Sequence, residues 1–154
     1  MNKFEFINGN LELLDLVQPL WQKLNQHHEA YSTNFKDKFN TLTFQTRKAK
    51  FTESCDLIVS VDLIKDLETS SYIGYCISTV TKDLVGEIDS LFLEEKYRKY
   101  GLGDILMSRA LDWLDSNNVK RKIIGVAEGN ENVLSFYKKY GFYKRTIILE
   151  QIIK

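Results

Sequence analysis

The sequence predicts a mixed α/β domain. Three observations predict it: a helical period over residues 14–31, a switch to strand-like runs over residues 57–61, 72–81 and 85–93, and a return to helix alternating with strand from residue 102 onward. The predicted order is strand, two helices, three strands, helix, strand, helix, strand, in one domain over residues 1–154. A chain of this length encloses a sizeable core and is short for two ordinary domains.

Phe4 and Phe6 alternate with polar neighbours in a first strand, and Asn8-Gly9-Asn10 supplies a turn in which Asn10 can cap a helix. Leu14, Val17, Trp21, Leu24, His28 and Tyr31 then recur at three- and four-residue steps and share a helix face. Pro19 has no backbone N–H to donate, which predicts a kink or restart near Gln18. Ser32-Thr33-Asn34 interrupts the pattern, and Phe35, Phe39 and Leu42 open a second helix ending near Phe51. Residues 65–71 and Lys82-Asp83 are polar connections between strands, the second short enough for a hairpin.

Beyond residue 101, Leu102, Ile105, Leu106, Ala110, Trp113 and Leu114 mark the buried face of a helix that Asn117-Asn118 ends. Residues 122–127 form a short apolar strand. Residues 130–140 form a helix with Val133, Phe136, Tyr137 and Tyr140 on one side and Gly141 as its left-handed cap. Residues 142–153 close the chain as a strand.

Composition narrows the function classes. Lys plus Arg equals Asp plus Glu at 21 each, so no overall field draws the chain to nucleic acid or to a membrane surface. No apolar run reaches membrane-spanning length and the first residues do not read as a signal peptide, so the expected setting is a reducing cytoplasm. Cys55 and Cys76 lie in strand-like segments without metal-ligand spacing and read as buried free thiols. His27, His28 and Glu29 suggest a metal at first sight. Adjacent helical histidines point in different directions, however, and positions 31 and 32 are Tyr and Ser, so no metal is expected.

The chemistry concentrates in residues 85–105, a strand through Leu93, a basic turn with two glycines, and the first turn of a helix. The first N–H groups of a helix have no intrahelical partner and carry the positive end of its dipole, so an anion fits there. Lys96, Arg98 and Lys99 add charge. Gly103 is followed by Asp104-Ile105 rather than Lys and a hydroxyl residue, which excludes the Walker loop. Position 106 is Leu, which excludes the dinucleotide fingerprint.

What remains, Arg98-x-x-Gly101-x-Gly103, resembles the acetyl-coenzyme A (acetyl-CoA) loop of the GNAT acyltransferases. A second motif supports the resemblance: Asn130-x-x-Val133-x-x-Phe136-Tyr137 followed by Gly141-Phe142 is similar to the family's Asn-x-x-Ala-x-x-Phe-Tyr helix ending in Gly-Phe. Two departures are Val133 for a small residue, which narrows the passage beside the pantetheine, and Lys99 where glycine is frequent.

The resemblance implies the GNAT fold, a mixed central sheet flanked by helices, and acetyl-CoA as acyl donor without a metal. It implies an N-acetyltransferase whose primary amine acceptor, a small molecule in the first instance, attacks the thioester directly in a ternary complex. A protein N-terminus or lysine is the alternative acceptor, and a non-catalytic acyl-CoA sensor the alternative class. The strands at residues 85–93 and 122–127 would splay and pair with pantetheine through Leu91, Phe92 and Leu93, the N–H of Leu93 polarising the thioester carbonyl. The loop of Arg98, Lys99, Tyr100, Gly101, Leu102, Gly103 and Asp104 would hold the pyrophosphate, with Asn130 and Phe136 also against the cofactor. Tyr137 would protonate the departing thiolate and Glu87 would serve as base, directly or through water, with solvated strand face as its plainer reading. Asp89, His28, Glu29, Tyr31 and Phe35 are the candidates for acceptor contact. Monomer and homodimer both stay open, the closing strand being able to add to a sheet edge.

Overall fold

The computed structural model describes residues 3–153. Five strands form one sheet in the order β1-β2-β3-β4-β5: β1 (Phe4–Gly9), β2 (Ile58–Asp66), β3 (Ser71–Val80), β4 (Val85–Leu93) and β5 (Arg121–Ile124). The first four are antiparallel neighbours and β5 runs parallel to β4. A 3-10 turn (Leu11–Leu13) leads into α1 (Leu14–Tyr31), followed by α2 (Lys36–Thr41) and α3 (Phe44–Thr52) before β2. After β4 come a 3-10 turn (Glu95–Tyr100) and α4 (Leu102–Ser116), and after β5 a 3-10 turn (Glu131–Val133) and α5 (Leu134–Lys138).

Alternation along the strands divides the interior in two. Leu14, Val17, Trp21, Phe44 and Phe51 pack with Val61, Tyr75 and Phe92 on one face of the sheet. Leu102, Leu106, Met107 and Leu114 pack with Ile64, Cys76 and Ile88 on the other, where Phe136, Tyr137 and Tyr140 join them. Among the described residues no helix is long and apolar enough to cross a membrane.

Several expectations are corrected. The stretch expected as one second helix is two, because Thr43 adopts extended dihedrals and its hydroxyl accepts the Thr46 N–H at 3.2 Å, starting α3 afresh. Helix α1 continues through Pro19 without restarting. The Asn10 amide donates to the Val59 carbonyl at 3.2 Å instead of capping, and ties β1 to β2. Cys76 is buried in β3, but Cys55 is exposed in the turn before β2. The ladder of β5 ends at Ile124, and Gly125-Val126-Ala127 continue outside it.

The largest difference is at the end of the chain. Residues 142–153 form no strand; Ile147, Ile148, Leu149 and Ile153 are 74–90 % exposed. Gly141 does cap the last helix. It adopts φ +87°, its N–H bonds to the Lys138 carbonyl and that of Phe142 to the Tyr137 carbonyl, the paired bonds of a Schellman motif.

Candidate active site

The site is made by two departures from a regular sheet in β4. First, the β3–β4 register passes from Ile77↔Ser90 to Ser78↔Ile88 and leaves Asp89 unopposed, a bulge. The extra residue reverses the alternation: Ile88 packs toward α4, whereas Phe92 packs toward α1. Secondly, the β4–β5 ladder stops at Ile88↔Ile124, so the two strands part beyond it.

The backbone facing that gap follows from the hydrogen bonds on the other side. The N–H of Glu94 donates to the Ile73 carbonyl at 2.9 Å, toward β3. Successive residues of a strand turn their polar groups to opposite sides, so Leu91 and Leu93 turn theirs to the gap. The Leu93 carbonyl is taken there by Arg98 Nε at 2.9 Å.

A cavity of about 130 Å³ occupies the parting. Asp89, Ser90 and Leu91 line it from β4, Gly125, Val126 and Ala127 from the chain beyond β5, and Asn130, Val133 and Tyr137 from the last helical segment. Trp21, Leu24 and His28 of α1 and Arg47 of α3 close it on the opposite face.

Charge in the cavity is organised around Asp89. Its carboxylate accepts from Arg47 Nη2 and, at 2.7 Å, from Lys50 Nζ, and its side chain is only 1 % exposed. Asp89 is thus a buried, twice-neutralised anion rather than a free base. Glu87, two residues earlier and half-buried, does not line the cavity. Burial first, then the charge of Asp89, lifts its carboxyl above the ordinary range, with Lys50 and Arg47 opposing. His28 is held down to about 4, by burial first and then by the nearby His27 and Arg47, so the imidazole is neutral at pH 7, and Nδ1 has no hydrogen-bond partner among the described residues. The hydroxyl of Tyr137 is pushed up to about 12, chiefly by burial, and stays protonated.

The chain matches the model of the acetyltransferase (GNAT) family over residues 18–142. It belongs to that family. An uncharacterized N-acetyltransferase of Methanocaldococcus jannaschii is 26% identical over 72 residues, which are 47% of this chain and 32% of that protein. The match thus spans about a third of that relative's length. A proposed acetyl transferase from Pyrococcus furiosus superposes with a TM-score of 0.74 at 17% identity, covering 97% of this chain and 99% of the other. The aminoglycoside N-acetyltransferase AAC(6')-Iy, in complex with CoA, gives a TM-score of 0.66 at 12% identity over 96% of this chain and 94% of its own. At such identities the likeness is one of fold.

Within this GNAT domain, the residues named from sequence fall into three groups. Tyr137, Asn130, Asp89, His28 and Leu91 meet at the cavity. Asn130 makes no side-chain cap bond to the turn it begins, so capping does not account for it. The glycine loop is the second group: Gly101 takes φ +71° at the start of α4, Lys99 and Tyr100 are exposed, and Leu102 and Phe92 are buried. Those last two can meet a ligand through their backbone alone. Asp104 accepts from Tyr140 Oη and, at 3.1 Å, from Lys139 Nζ, which fastens α4 to the turn that follows α5, and Phe136 packs in the same joint. The third group, Glu29, Tyr31 and Phe35, lies outside the cavity lining, with Tyr31 stacked on His27 at 4.5 Å between centroids.

Sequence reasoning missed Arg47, Trp21 and Glu128. Trp21 stands on the helix face it shares with Leu14 and Val17, which does not mark it as part of a site, and Arg47 stands in the part of its helix without clear period. Glu128 accepts from Ser32 Oγ at 2.5 Å, from the N–H groups of Thr33 and Asn34 at 2.9 Å each, and from the Asn34 amide at 2.6 Å, clasping the α1–α2 loop to the loop after β5. Those bonds, that from Ser32 foremost, hold its carboxyl down to about 2. Only the interruption at Ser32-Thr33-Asn34 signalled that this loop was special.

Proposed function

We propose that this chain is an acetyl-CoA-dependent N-acetyltransferase that acetylates a primary amine of a small molecule by direct attack in a ternary complex. The observation that carries the reading is the parted β4–β5 pair, with the backbone groups of Leu91 and Leu93 facing the gap and Tyr137 on its far wall.

Pantetheine is an amide-bearing chain and fits such an open strand edge as an added strand would. The Leu93 N–H is then the donor for the thioester carbonyl, where charge develops during attack. The first N–H groups of α4, with Arg98 at hand, suit the pyrophosphate. Gly101 supports this, since a Cβ there would meet nothing within 4 Å and the approach to the helix end is open. Tyr137, kept protonated by burial, supplies a proton to the leaving thiolate. An ammonium near pH 7 must lose a proton before it attacks, and Glu87 takes it through water, being outside the cavity itself. Asp89 positions Arg47 and Lys50 and does not act as a base. Small-molecule acetyltransferases, the aminoglycoside enzymes, share the fold, which supports a small acceptor.

The test is calorimetric titration with acetyl-CoA, with CoA, ATP and NAD as comparators, followed by a screen of amines. Saturable binding of acetyl-CoA and turnover of at least one small amine are expected. Folded protein that does not bind acetyl-CoA ends this reading.

A further inference from the structure

Arg47 and Asp89 are the charged side chains that line the cavity, and they are unequally spent. One carboxylate oxygen of Asp89 accepts from Arg47 and the other from Lys50 at 2.7 Å, and the side chain is 1 % exposed. Its negative charge is used up within the protein. Arg47 bonds to Asp89 through Nη2 alone and is 25 % exposed, so among the described residues Nη1 and Nε keep N–H groups to give. With Lys50 counted, two cations face one anion.

The other acidic groups nearby do not alter this balance. Glu87 is outside the cavity lining, and Glu128, one residue beyond Ala127, spends both carboxylate oxygens on the α1–α2 loop. The walls contributed by the chain beyond β5 and by the last helical segment carry no charged residue. An ammonium group additional to the reacting one therefore finds no free carboxylate here, and it meets the field of Arg47 where little water screens it. A group of opposite sign is received.

The reacting end has a different requirement, an uncharged amine with its lone pair free. His28 suits it. Nδ1 is buried in the wall of the cavity without a partner among the described residues, which costs free energy until a donor reaches it. The ring is uncharged at pH 7, so it accepts an amine N–H without repelling a proton-bearing nitrogen.

We infer, resting on the acetyltransferase reading above, that the acceptor is a primary amine that also carries an anionic group, a carboxylate or a phosphate monoester, held by Arg47 while His28 receives an N–H of the amine. Both anions make the same charge-assisted bond to a guanidinium, worth about tenfold to a hundredfold in an equilibrium constant.

The test follows acetylation of matched amines by the full chain: β-alanine against its amide, O-phosphoethanolamine against ethanolamine, the common α-amino acids against their amides, and putrescine as a dication. The anionic member of a pair should exceed its counterpart by about tenfold or more in kcat/KM, mostly through KM, with putrescine the poorest. The pair that shows the preference identifies the anion. Arg47→Gln should erase the preference by raising KM for the anionic amine while calorimetric affinity for acetyl-CoA is kept, and Arg47→Lys should restore part of it. Lys50 still neutralises Asp89 in both variants. Binding of acetyl-CoA with neutral amines or putrescine turned over as well as the anionic ones, or with no anionic amine turned over, overturns the inference and leaves the acetyltransferase reading standing. A preference unchanged in Arg47→Gln overturns it too. If acetyl-CoA itself does not bind, that reading falls and this inference with it. Should Arg47→Gln not fold, the matched pairs on the wild-type chain decide.

Discussion

Tyr137 and Glu87 both titrate away from their ordinary values through burial, with opposite consequences. Burial keeps the Tyr137 phenol protonated to about 12, so it holds a transferable proton through the working range. Its replacement should cost the proton and little else. Tyr137→Phe is expected to lower kcat about tenfold to a hundredfold, with acetyl-CoA affinity within a factor of two of wild type by calorimetry; the loss is modest because a thiolate leaves readily unaided. An unchanged kcat removes Tyr137 from the chemistry. Glu87 is shifted upward, and a base works only when ionised. Activity should therefore rise with pH along a limb displaced above the ordinary carboxylate range, and Glu87→Gln should abolish that limb in kcat/KM. If the variant keeps the same acid limb, the proton goes to another group.

At the scale of elements, the site is held open on one side and clasped on the other. The bulge at Asp89 and the end of the β4–β5 ladder open it, and Glu128 ties its two rims together across 96 residues of sequence. The carboxyl of Glu128 is held near 2 in the folded chain against about 4.5 in the unfolded one, so its stabilisation is complete above about 4.5 and is lost as pH falls toward 2. Glu128→Ala should lower amide protection at Thr33 and Asn34 at neutral pH, and wild-type protection there should decay over that acid window. Protection unchanged in the variant would mean that the loop holds itself. The neighbouring Gly129 has φ +92°, and a Cβ there would run into the carbonyl of Tyr31. Gly129→Ala is expected to destabilise by at least the ~1–2 kcal/mol of a left-handed alanine, read as a fall in Tm of several degrees. Little of this clasp was legible in the sequence. Most helices and strands announce themselves by a local period, α3 being the exception, and both glycine motifs are local, but the partnership of Glu128 with Ser32 or of Asp89 with Arg47 leaves no periodic trace. A bulge is equally silent, since Glu87, Asp89 and Leu91 alternate in sequence whether or not the register slips between them.

In the whole molecule, the sheet separates two cores and the cavity lies where the sheet parts, so groups from both halves meet at a half-solvated spot. The order of elements was legible because it needs only the sequence of periods. The end of the chain was not, because residues 142–153 have a strand's composition and composition does not say whether a run pairs in a sheet. His28 shows how such a site couples to the stability of the entire fold. It was expected as an acceptor contact, and it is a neutral imidazole kept so by burial, His27 and Arg47. An unfolded chain takes up a proton at His28 near pH 6.5, whereas the folded chain resists until about 4. Between those values the unfolded state binds more protons, so stability falls as pH drops from about 6.5 to about 4 and the loss is complete below. Water reaching the half-buried ring screens the effect to on the order of 1 kcal/mol, or about 2–4 °C in Tm. Glu87, shifted upward, works against it in the same region, since a carboxyl that is easier to protonate when folded gains stability on acidification. The informative quantity is therefore the difference between two chains. Thermal melts of wild type and His28→Gln, taken from pH 7.5 down to 4, should diverge progressively below 6.5, the wild type losing the additional 2–4 °C. Parallel curves would assign the acid sensitivity of this fold to groups other than the histidine at its cavity.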